Sequence, residues 1–544
     1  MKKIIIPSAK VVPKDLQNLG KIPAVIYPVD DRTMLDCFLE VYKDYADTYE
    51  VITYEAAEKV RNYARSYSEN INIHKLNDIR DLGYSIYSGI NYSKCKSEDI
   101  LVINFGDTIV FDKLNDINED MCFYSEDYIS DTWTFFSEKK GIISEIWDKQ
   151  EISSKEAWEK LFVGVFFITR PLEFQKFLEN SLNENTNIDS FYRALMDYSK
   201  VYPMQMRKAD KWFDIGHADR YFDTQIEVKA RSFNHISIDK NRGILSKTSE
   251  EKEKFLGEIL WYLKLPTDIE YVRPRIFSYS IDYNNPYINM EYYAYHTLHE
   301  LFLFGDLSQK QWADTFKRIK FIINDFERYK VSDDGINDAI VEMYLNKTMA
   351  RLEKMKENSK FKDFFDNSII VNGIEYKSLS EICEILPKII IDELCDVRSF
   401  NIIHGDLCFA NIMIDSNLTF IKVIDPRGKF GKYDIYGDRR YELAKLFHSL
   451  DGKYDYIIKD LFYLEVNDTN IKYYVNERKR DFDLYESFVR CFKEEIGEEI
   501  KKIELIQSLL FLSMIPLHTE SEKHQLAMLA TGLEILNRVI DIRK

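Results

Sequence analysis

The stretch NIIHGDLCFANIMID, residues 401–415, followed by FIKVIDPRG, residues 420–428, decides how the second half of this chain is read. Two short apolar runs, Asn401 to Ile403 and Ile412 to Ile414, read as strands flanking a polar loop. Phe420 to Ile424 reads as the next strand and delivers Asp425 at its end. Phosphoryl transfer needs a carboxylate to orient or deprotonate the attacking hydroxyl. It also needs an amide oxygen and a second carboxylate to hold Mg²⁺ on the nucleotide phosphates. Asp406, with Asn411 five positions on and Asp425 after the hairpin, supplies that set at the spacing of a kinase catalytic loop. His404 is read as a hydrogen-bonding support for the loop rather than as the base.

These residues resemble the aminoglycoside phosphotransferase and choline kinase superfamily, in which HGD stands where protein kinases have HRD. The resemblance implies that Asp406 is the catalytic base, that Asn411 and Asp425 are Mg²⁺ ligands, and that ATP is the donor. Gly437-Asp438 ahead of Tyr441-Glu442-Leu443-Ala444 looks like the family's helix-opening aspartate, so Asp438 is expected to cap that helix and brace the loop. DPRG stands in place of the DFG of protein kinases. Arg427 is therefore either a substrate or phosphate contact or a turn residue at the surface.

Upstream, FNHISID, a turn at Lys240 to Gly243, and ILSKTS form a hairpin pattern. Lys247 falls on its second strand, where kinases place the lysine that meets the α- and β-phosphates, and Glu258 in the following helical run is its candidate partner. No GxGxxG precedes it, and Ser232 and Asn234 fall where a reduced phosphate loop would run. YINMEYY, 287–293, reads as an interlobe hinge whose backbone from Glu291 to Tyr293 would hold adenine, with a helix following from His296 to Phe304. From Ser308 on, everything except the catalytic hairpins reads as helix, and Ile503 to Ile542 as amphipathic packing. Residues 229–544 thus read as a two-lobed α+β protein-kinase-like domain. Its N-lobe covers about 229–293 and a helical C-lobe about 294–544.

Residues 1–228 alternate strands and helices: Ile4 to Ile6, Val51 to Tyr54 and Ile100 to Asn104 are strands, while Thr33 to Tyr45 and Tyr54 to Tyr67 are helical. That rhythm predicts an α/β, doubly wound, mostly parallel sheet, which binds ligands at the carboxyl ends of its strands, where Asp107 sits. Four pieces in order, LGKIPAVIYPV (19–29), ILVINFGDTIV (100–110), IISEIWDKQ (142–150) before LFVGVFFI (161–168), and KWFDIGHADRYF (211–222), resemble the sugar-phosphate nucleotidyltransferase (pyrophosphorylase) family. The resemblance implies that Asp107 and Asp214 hold Mg²⁺ and that Lys21 and Lys149 neutralise phosphate oxygens. Joining two anions does need a metal clamp and cations at the meeting point. The family's glycine-rich phosphate loop is missing: PSAKVVPKDLQNLG has no glycine before Gly20, which leaves its charge to Lys10 and Lys14 or nucleotide binding altered. Ala218 to Arg231 reads as a short helical linker that fixes the two halves.

A formal net charge of −17 argues against nucleic acid as a partner, and no apolar run is long enough to span a membrane. MKKIIIPSAKVV reads as a first strand, not a signal peptide, and seven scattered cysteines without a CxxC pair read as free thiols, placing the chain in the cytoplasm. No histidine spacing supports a zinc site. Together these readings point to a bifunctional transferase. One half phosphorylates a hydroxyl on a small molecule, a sugar or amino alcohol, with ATP and Mg²⁺. The other couples the product to an NTP, CTP among the candidates. By resemblance, this supplies precursors of bacterial capsule polysaccharide. The alternative is a kinase whose amino-terminal half is a non-catalytic module.

Overall fold

The structure is a computed structural model of the 544-residue chain. It describes all residues except 30–31, 66, 68–69, 115–116, 127–132, 150–159, 185, 218–219, 222–223 and 225–234. Most of the expected linker helix, with Ser232 and Asn234, lies outside the described residues. The chain divides into two compact units, Met1–Lys229 and Ala230–Lys544. Among the described residues no helix is long and apolar enough to cross a membrane.

In the first unit a nine-stranded sheet has the spine Ile142–Asp148, Thr134–Lys139, Lys160–Ile168, Ile100–Asn104, Lys2–Ser8, Thr48–Thr53, Ile71–Lys75. The last four strands are mutually parallel, and beyond Ile100–Asn104 the pairing turns antiparallel at Lys160–Ile168. Ile4, Ile5 and Ile6 are all fully buried, as a central strand covered on both faces requires. One face packs against helices Leu82–Ser93, Pro171–Leu182 and Ser190–Val201 through a core of Ile5, Ile103, Phe166, Phe174 and Phe191. The other carries Met34–Tyr42, whose Tyr42 hydroxyl donates to Asn104 Oδ1 at 2.8 Å.

Lys2–Ser8 leads outward to Thr48–Thr53 and Ile71–Lys75, and the chain then returns to place Ile100–Asn104 on its other side. The strand order therefore reverses between Lys2–Ser8 and Ile100–Asn104, the position at which open sheets of this kind form a crevice outside the carboxyl ends of the strands. Helices Leu82–Ser93 and Ser190–Val201 bring their amino termini to the same edge and exchange caps. Asp81 accepts from its own Tyr84 N–H (3.0 Å) and from Ser190 N–H (3.0 Å). Asp189 accepts from its own Phe191 N–H (2.9 Å) and from Leu82 N–H (2.9 Å).

The second unit begins with an antiparallel sheet ordered Ile236–Asp239, Ile244–Lys247, Tyr287–Glu291, Ile276–Ser280, with helix Lys252–Lys264 following its first hairpin. The rest is built on helices Arg439–Leu450, Ile500–Met514 and Glu522–Val539. Arg439–Leu450 is buried all round, from Arg440 to Leu450. The loop-flanking strands are Phe400–Ile402, Ile412–Ile414 and Ile421–Val423. The expected helix from His296 is shorter, Leu298–Leu303, because Thr297 is its N-cap and His296–Thr297 pairs with Ile412–Ile414.

The reading of everything after Ser308 as helix is corrected by a further four-stranded sheet, ordered Ile374–Tyr376, Ile369–Val371, Asn470–Val475, Phe462–Asn467. Its first hairpin turns on Asn372-Gly373, both at positive φ (52° and 84°), the residue pair that type I′ turns favour. Its second turns at Asp468, φ 53°, between runs of alternating burial. The sequence carries both signals in plain form.

The exchanged caps leave no room above Gly83: a Cβ there would collide with Ser190 Oγ and lie 2.6 Å from Phe191 N. Gly83→Val is expected to cost about 1–3 kcal/mol, read as a lower denaturation midpoint for the first unit, whereas Ser88→Ala in the same helix should leave it nearly unchanged.

Candidate functional sites

In the first unit, Thr108–Val110 and Trp212–Asp214 form an antiparallel ribbon that sets Asp214 opposite Thr108. Ile215 N–H donates to Asp107 O at 2.8 Å, which closes the ribbon beside Asp107. Residues about a hundred positions apart thereby converge: the Thr108 hydroxyl lies 3.4 Å from Asp107 Oδ1 and 3.4 Å from Asp214 Oδ2. A Cβ on Gly216 would sit 2.9 Å from Asp107 Oδ2 and 3.4 Å from Asp214 Oδ2, so a glycine is needed where both carboxylates converge. Burial, and then the Asp214 charge, push the Asp107 carboxyl up to about 6. His217 Nδ1 lies 2.9 Å from Asp214 Oδ1.

The pair opens on a cavity of about 470 Å³ at the strand-order reversal, lined also by Lys10, Arg80, Trp133 and Lys149. Lys149 holds φ at 52°, a left-handed backbone unusual for a lysine, and its N–H donates to Trp133 O. Lys21 is exposed and is not among the lining residues; its carbonyl accepts from Lys59 Nζ at 2.9 Å. Lys14 does not line the cavity either. The loop that replaces the glycine-rich segment has two of its amides occupied. Val11 N–H donates to Glu55 Oε2 (3.0 Å), Val12 N–H to Ile22 O (2.9 Å), and Pro13 has none.

In the second unit, the catalytic-type loop hangs from a buried carboxylate that sequence reading did not single out for this role. Glu442 accepts from His404 N–H at 2.8 Å and Gly405 N–H at 2.7 Å. Burial pushes its carboxyl up to about 7 in spite of those two donors. Asp438 does cap the helix, accepting from Arg440 N–H at 2.9 Å, but its other partners are the Arg440 guanidinium and the Tyr344 hydroxyl. The loop is braced by Glu442. A buried acid one helical turn after a cap is the signal that could have found it.

His404 is fully buried, and its Nδ1 accepts from Asp406 N–H at 3.3 Å. Burial lowers its pKa to about 4, so the ring is neutral and supports the loop. Asn411 Nδ2 donates to Asp406 O at 2.8 Å, which locks the amide against the loop. Lys445 Nζ stands 2.8 Å from Asp406 Oδ1, an ion pair set off the axis that an aligned hydrogen bond would need. Burial by itself would raise the Asp406 pKa; Lys445, His404 and Arg427 outweigh it and hold the carboxyl below its usual value.

Asp425 sits at φ 56°, with its N–H bonded by the Tyr262 hydroxyl oxygen at 3.0 Å. Lys247 Nζ bridges Asp425 Oδ1 (2.6 Å) and Glu258 Oε1 (2.8 Å), so the strand lysine, the helix glutamate and the loop aspartate meet. Burial, then the nearby Asp425 charge, push the Glu258 carboxyl up to about 7. The close approach depends on Gly428, φ 66°, where a Cβ would run into the Gly257 carbonyl. Arg427 is no surface turn residue. A Cβ on Gly405 would touch its Cβ at 2.9 Å, and its Nη1 donates to the Tyr441 hydroxyl at 3.0 Å.

In the expected hinge, Glu291 N–H is spent on Arg275 O and Tyr292 N–H on Gly243 O, each at 2.8 Å. The Tyr293 hydroxyl donates to Glu291 Oε2 at 2.7 Å.

No protein-family model and no curated protein sequence matches the chain. Solved structures do resemble it. CTP:phosphocholine cytidylyltransferase from Streptococcus pneumoniae covers 42% of this chain and 99% of its own, at 14% identity and a TM-score of 0.34. The inositol-1-phosphate CTP transferase from T. maritima covers 42% and 96%, at 16% identity and a TM-score of 0.33. The streptomycin–ATP–APH(2")-IIa ternary complex covers 57% of this chain and 94% of its own, at 15% identity and a TM-score of 0.33.

The raised Asp107 carboxyl gives a pH signature. A folded pKa of about 6, above the unfolded value, adds stability that is fully present below pH ~4 and lost as pH rises through 6. In EDTA, Asp107→Asn should therefore stabilise the first unit by about 1–2 kcal/mol at pH 7.5 and by nothing at pH 4, read by thermal melting across that range.

Proposed function

We propose that the chain is a bifunctional transferase. The second unit transfers the γ-phosphoryl group of ATP to a hydroxyl on a small molecule, a sugar or amino alcohol. The first unit joins the phosphorylated product to a nucleotide, with CTP among the candidate donors, for cell-surface polysaccharide precursors. The observation that carries this reading is the Lys247 ammonium held between Glu258 and Asp425 in the same unit as an Asp406–Asn411 loop.

Asp406 is held ionised and can take the proton of the acceptor hydroxyl as its oxygen bonds to the γ-phosphorus and ADP leaves. Neutral His404 and buried Glu442 keep the loop in place for that transfer. Asn411 and Asp425 offer hard oxygen donors of the kind Mg²⁺ takes, and Asp107 with Asp214 offer a second such set at one point. Bound there, Mg²⁺ would neutralise charge on the nucleotide phosphates. In the first unit an oxygen of the phosphorylated product attacks the α-phosphorus of the NTP, and pyrophosphate leaves. Lys149, Lys10 and Arg80 stand at the cavity to meet those anions.

A second reading, a kinase with a non-catalytic first unit, is favoured by one observation: the amides of Val11 and Val12 are already bonded where a phosphate cradle would need them.

The two activities should be separable. Asp406→Ala should lower ATP-dependent phosphorylation by roughly 10²–10⁴-fold or more with ATP affinity nearly intact. Asp107→Asn or Asp214→Asn should stop pyrophosphate release while phosphorylated intermediate accumulates, both followed by mass spectrometry. Wild-type protein that releases no pyrophosphate from any common NTP, given the phosphorylated acceptor, would leave the kinase-only reading standing.

A further inference from the structure

Around Asp406 the chain gathers more positive charge than that carboxylate can answer. Lys445 is paired with it at 2.8 Å. Arg427 lies against Gly405, the residue preceding Asp406, and donates to the Tyr441 hydroxyl at 3.0 Å, with no ion-pair partner among the described residues. The Tyr441 ring packs on Tyr344, centroids 6.2 Å apart, and Lys347 follows Tyr344 one turn later. Arg351, one further turn along helix Lys347–Lys356, donates to Ser513 O at 3.2 Å and is 3.4 Å from Ser513 Oγ, with no carboxylate. The Lys347 ammonium has no hydrogen-bond or ion-pair partner among the described residues.

Two further features set this cluster apart from a solvated basic patch. Lys347, Arg351 and Arg427 are each partly buried and Lys445 is buried, in a chain whose net charge is −17. A π-helical turn, Val341–Asn346, immediately precedes Lys347; such turns interrupt a regular helix and recur at functional sites. Burial, and then Arg427, Arg351 and Lys445, push Lys347 down to about 6, so its amine needs a nearby negative charge to keep its proton at neutral pH. A bound anion would supply that charge to Lys347 and to the two guanidiniums beside it.

From this geometry we infer that the acceptor is itself an anion: the hydroxyl presented to Asp406 belongs to a small molecule carrying a carboxylate or phosphate, which Lys347, Arg351 and Arg427 hold. The inference rests on the phosphoryl-transfer reading of Asp406 and narrows it, setting aside amino alcohols and neutral sugars. The ATP phosphates are assigned to a different cation, Lys247, engaged with Asp425 and Glu258. The cluster is tied instead, through Lys445 and Arg427, to the loop that meets the acceptor.

The test offers full-length protein, ATP and Mg²⁺ with hydroxyl compounds of matched size in three classes: hydroxy acids, sugar acids and sugar monophosphates; neutral sugars and polyols; and choline-like amino alcohols. Turnover is expected for the anionic class at a kcat/KM about 100-fold above the others, the scale of one or two charge-assisted contacts. Lys347→Ala and Arg351→Ala should raise the KM for the acceptor about 10-fold or more and leave the KM for ATP within about twofold, with Arg351→Lys restoring part of the loss. Preference for a neutral or cationic alcohol overturns the inference and leaves the kinase reading intact. A rise in the KM for ATP alone assigns the cluster to the nucleotide and also overturns it. Absence of both ATP binding and turnover removes the two together. Should ATP bind without turnover on any compound, sodium sulfate decides. With ADP saturating, it should raise the melting temperature of the wild type over equal ionic strength of chloride, and not that of Lys347→Ala. No rise in the wild type overturns the inference.

Discussion

Carboxylates placed side by side repel by several kcal/mol at about 4 Å in a partly dry environment, and both units are organised around relieving that repulsion. In the first, Asp107 and Asp214 share one hydroxyl and face one glycine, and burial together with that repulsion pushes the Asp107 carboxyl up to about 6. In the second, Glu258 and Asp425 are bridged by Lys247, and Glu258 rises to about 7. The fold holds each pair in place from outside: a two-stranded ribbon closes one, and the Gly257–Gly428 contact closes the other. A cation or a proton relieves the repulsion at both, and in the second unit Lys247 is that cation.

Much of this was legible in the chain itself. Ile100–Asn104 and Ile412–Ile414 begin and end where apolar runs meet polar loops, and Lys247 and Glu258 stand on the strand and helix their surroundings imply. Asp107 was visible at the end of a strand pattern, and Asp214 through its resemblance to a family motif. What the sequence hid falls under two physical causes. Lys21 looked equivalent to Lys149, yet only the latter lines the cavity, because side-chain direction depends on a loop path that no periodicity encodes. The cluster of Lys347, Arg351, Arg427 and Lys445 draws on two helices and a loop far apart in sequence, so only packing assembles it. The sheet built from 369–376 and 462–475 is a different case. Its Asn-Gly turn was readable, and the strength of the surrounding helical pattern obscured it.

The two units also differ in how they can meet phosphate. A glycine-rich loop offers free backbone amides, whereas here the Val11 and Val12 amides are bonded within the fold and Lys10 is the lysine of this segment that lines the cavity. Side-chain cations are mobile and hydrated, so they neutralise charge without fixing a phosphate's orientation as converging amides do. Lys149, which also lines the cavity, holds a left-handed backbone that costs about 1–2 kcal/mol, which the surrounding fold must supply.

The exchanged caps of Asp81 and Asp189 have a kinetic meaning as well as a geometric one. Helix ends ordinarily fray on their own, because each first turn is stabilised by its own residues. Here the opening amides of each helix are bonded by the cap of the other, so neither end can loosen without releasing both. The edge of the sheet that carries the cavity is thereby joined into one cooperative opening unit. Exchange of the Leu82 and Ser190 amides with solvent becomes a single event, and the rim of the site keeps its shape until that whole edge gives way.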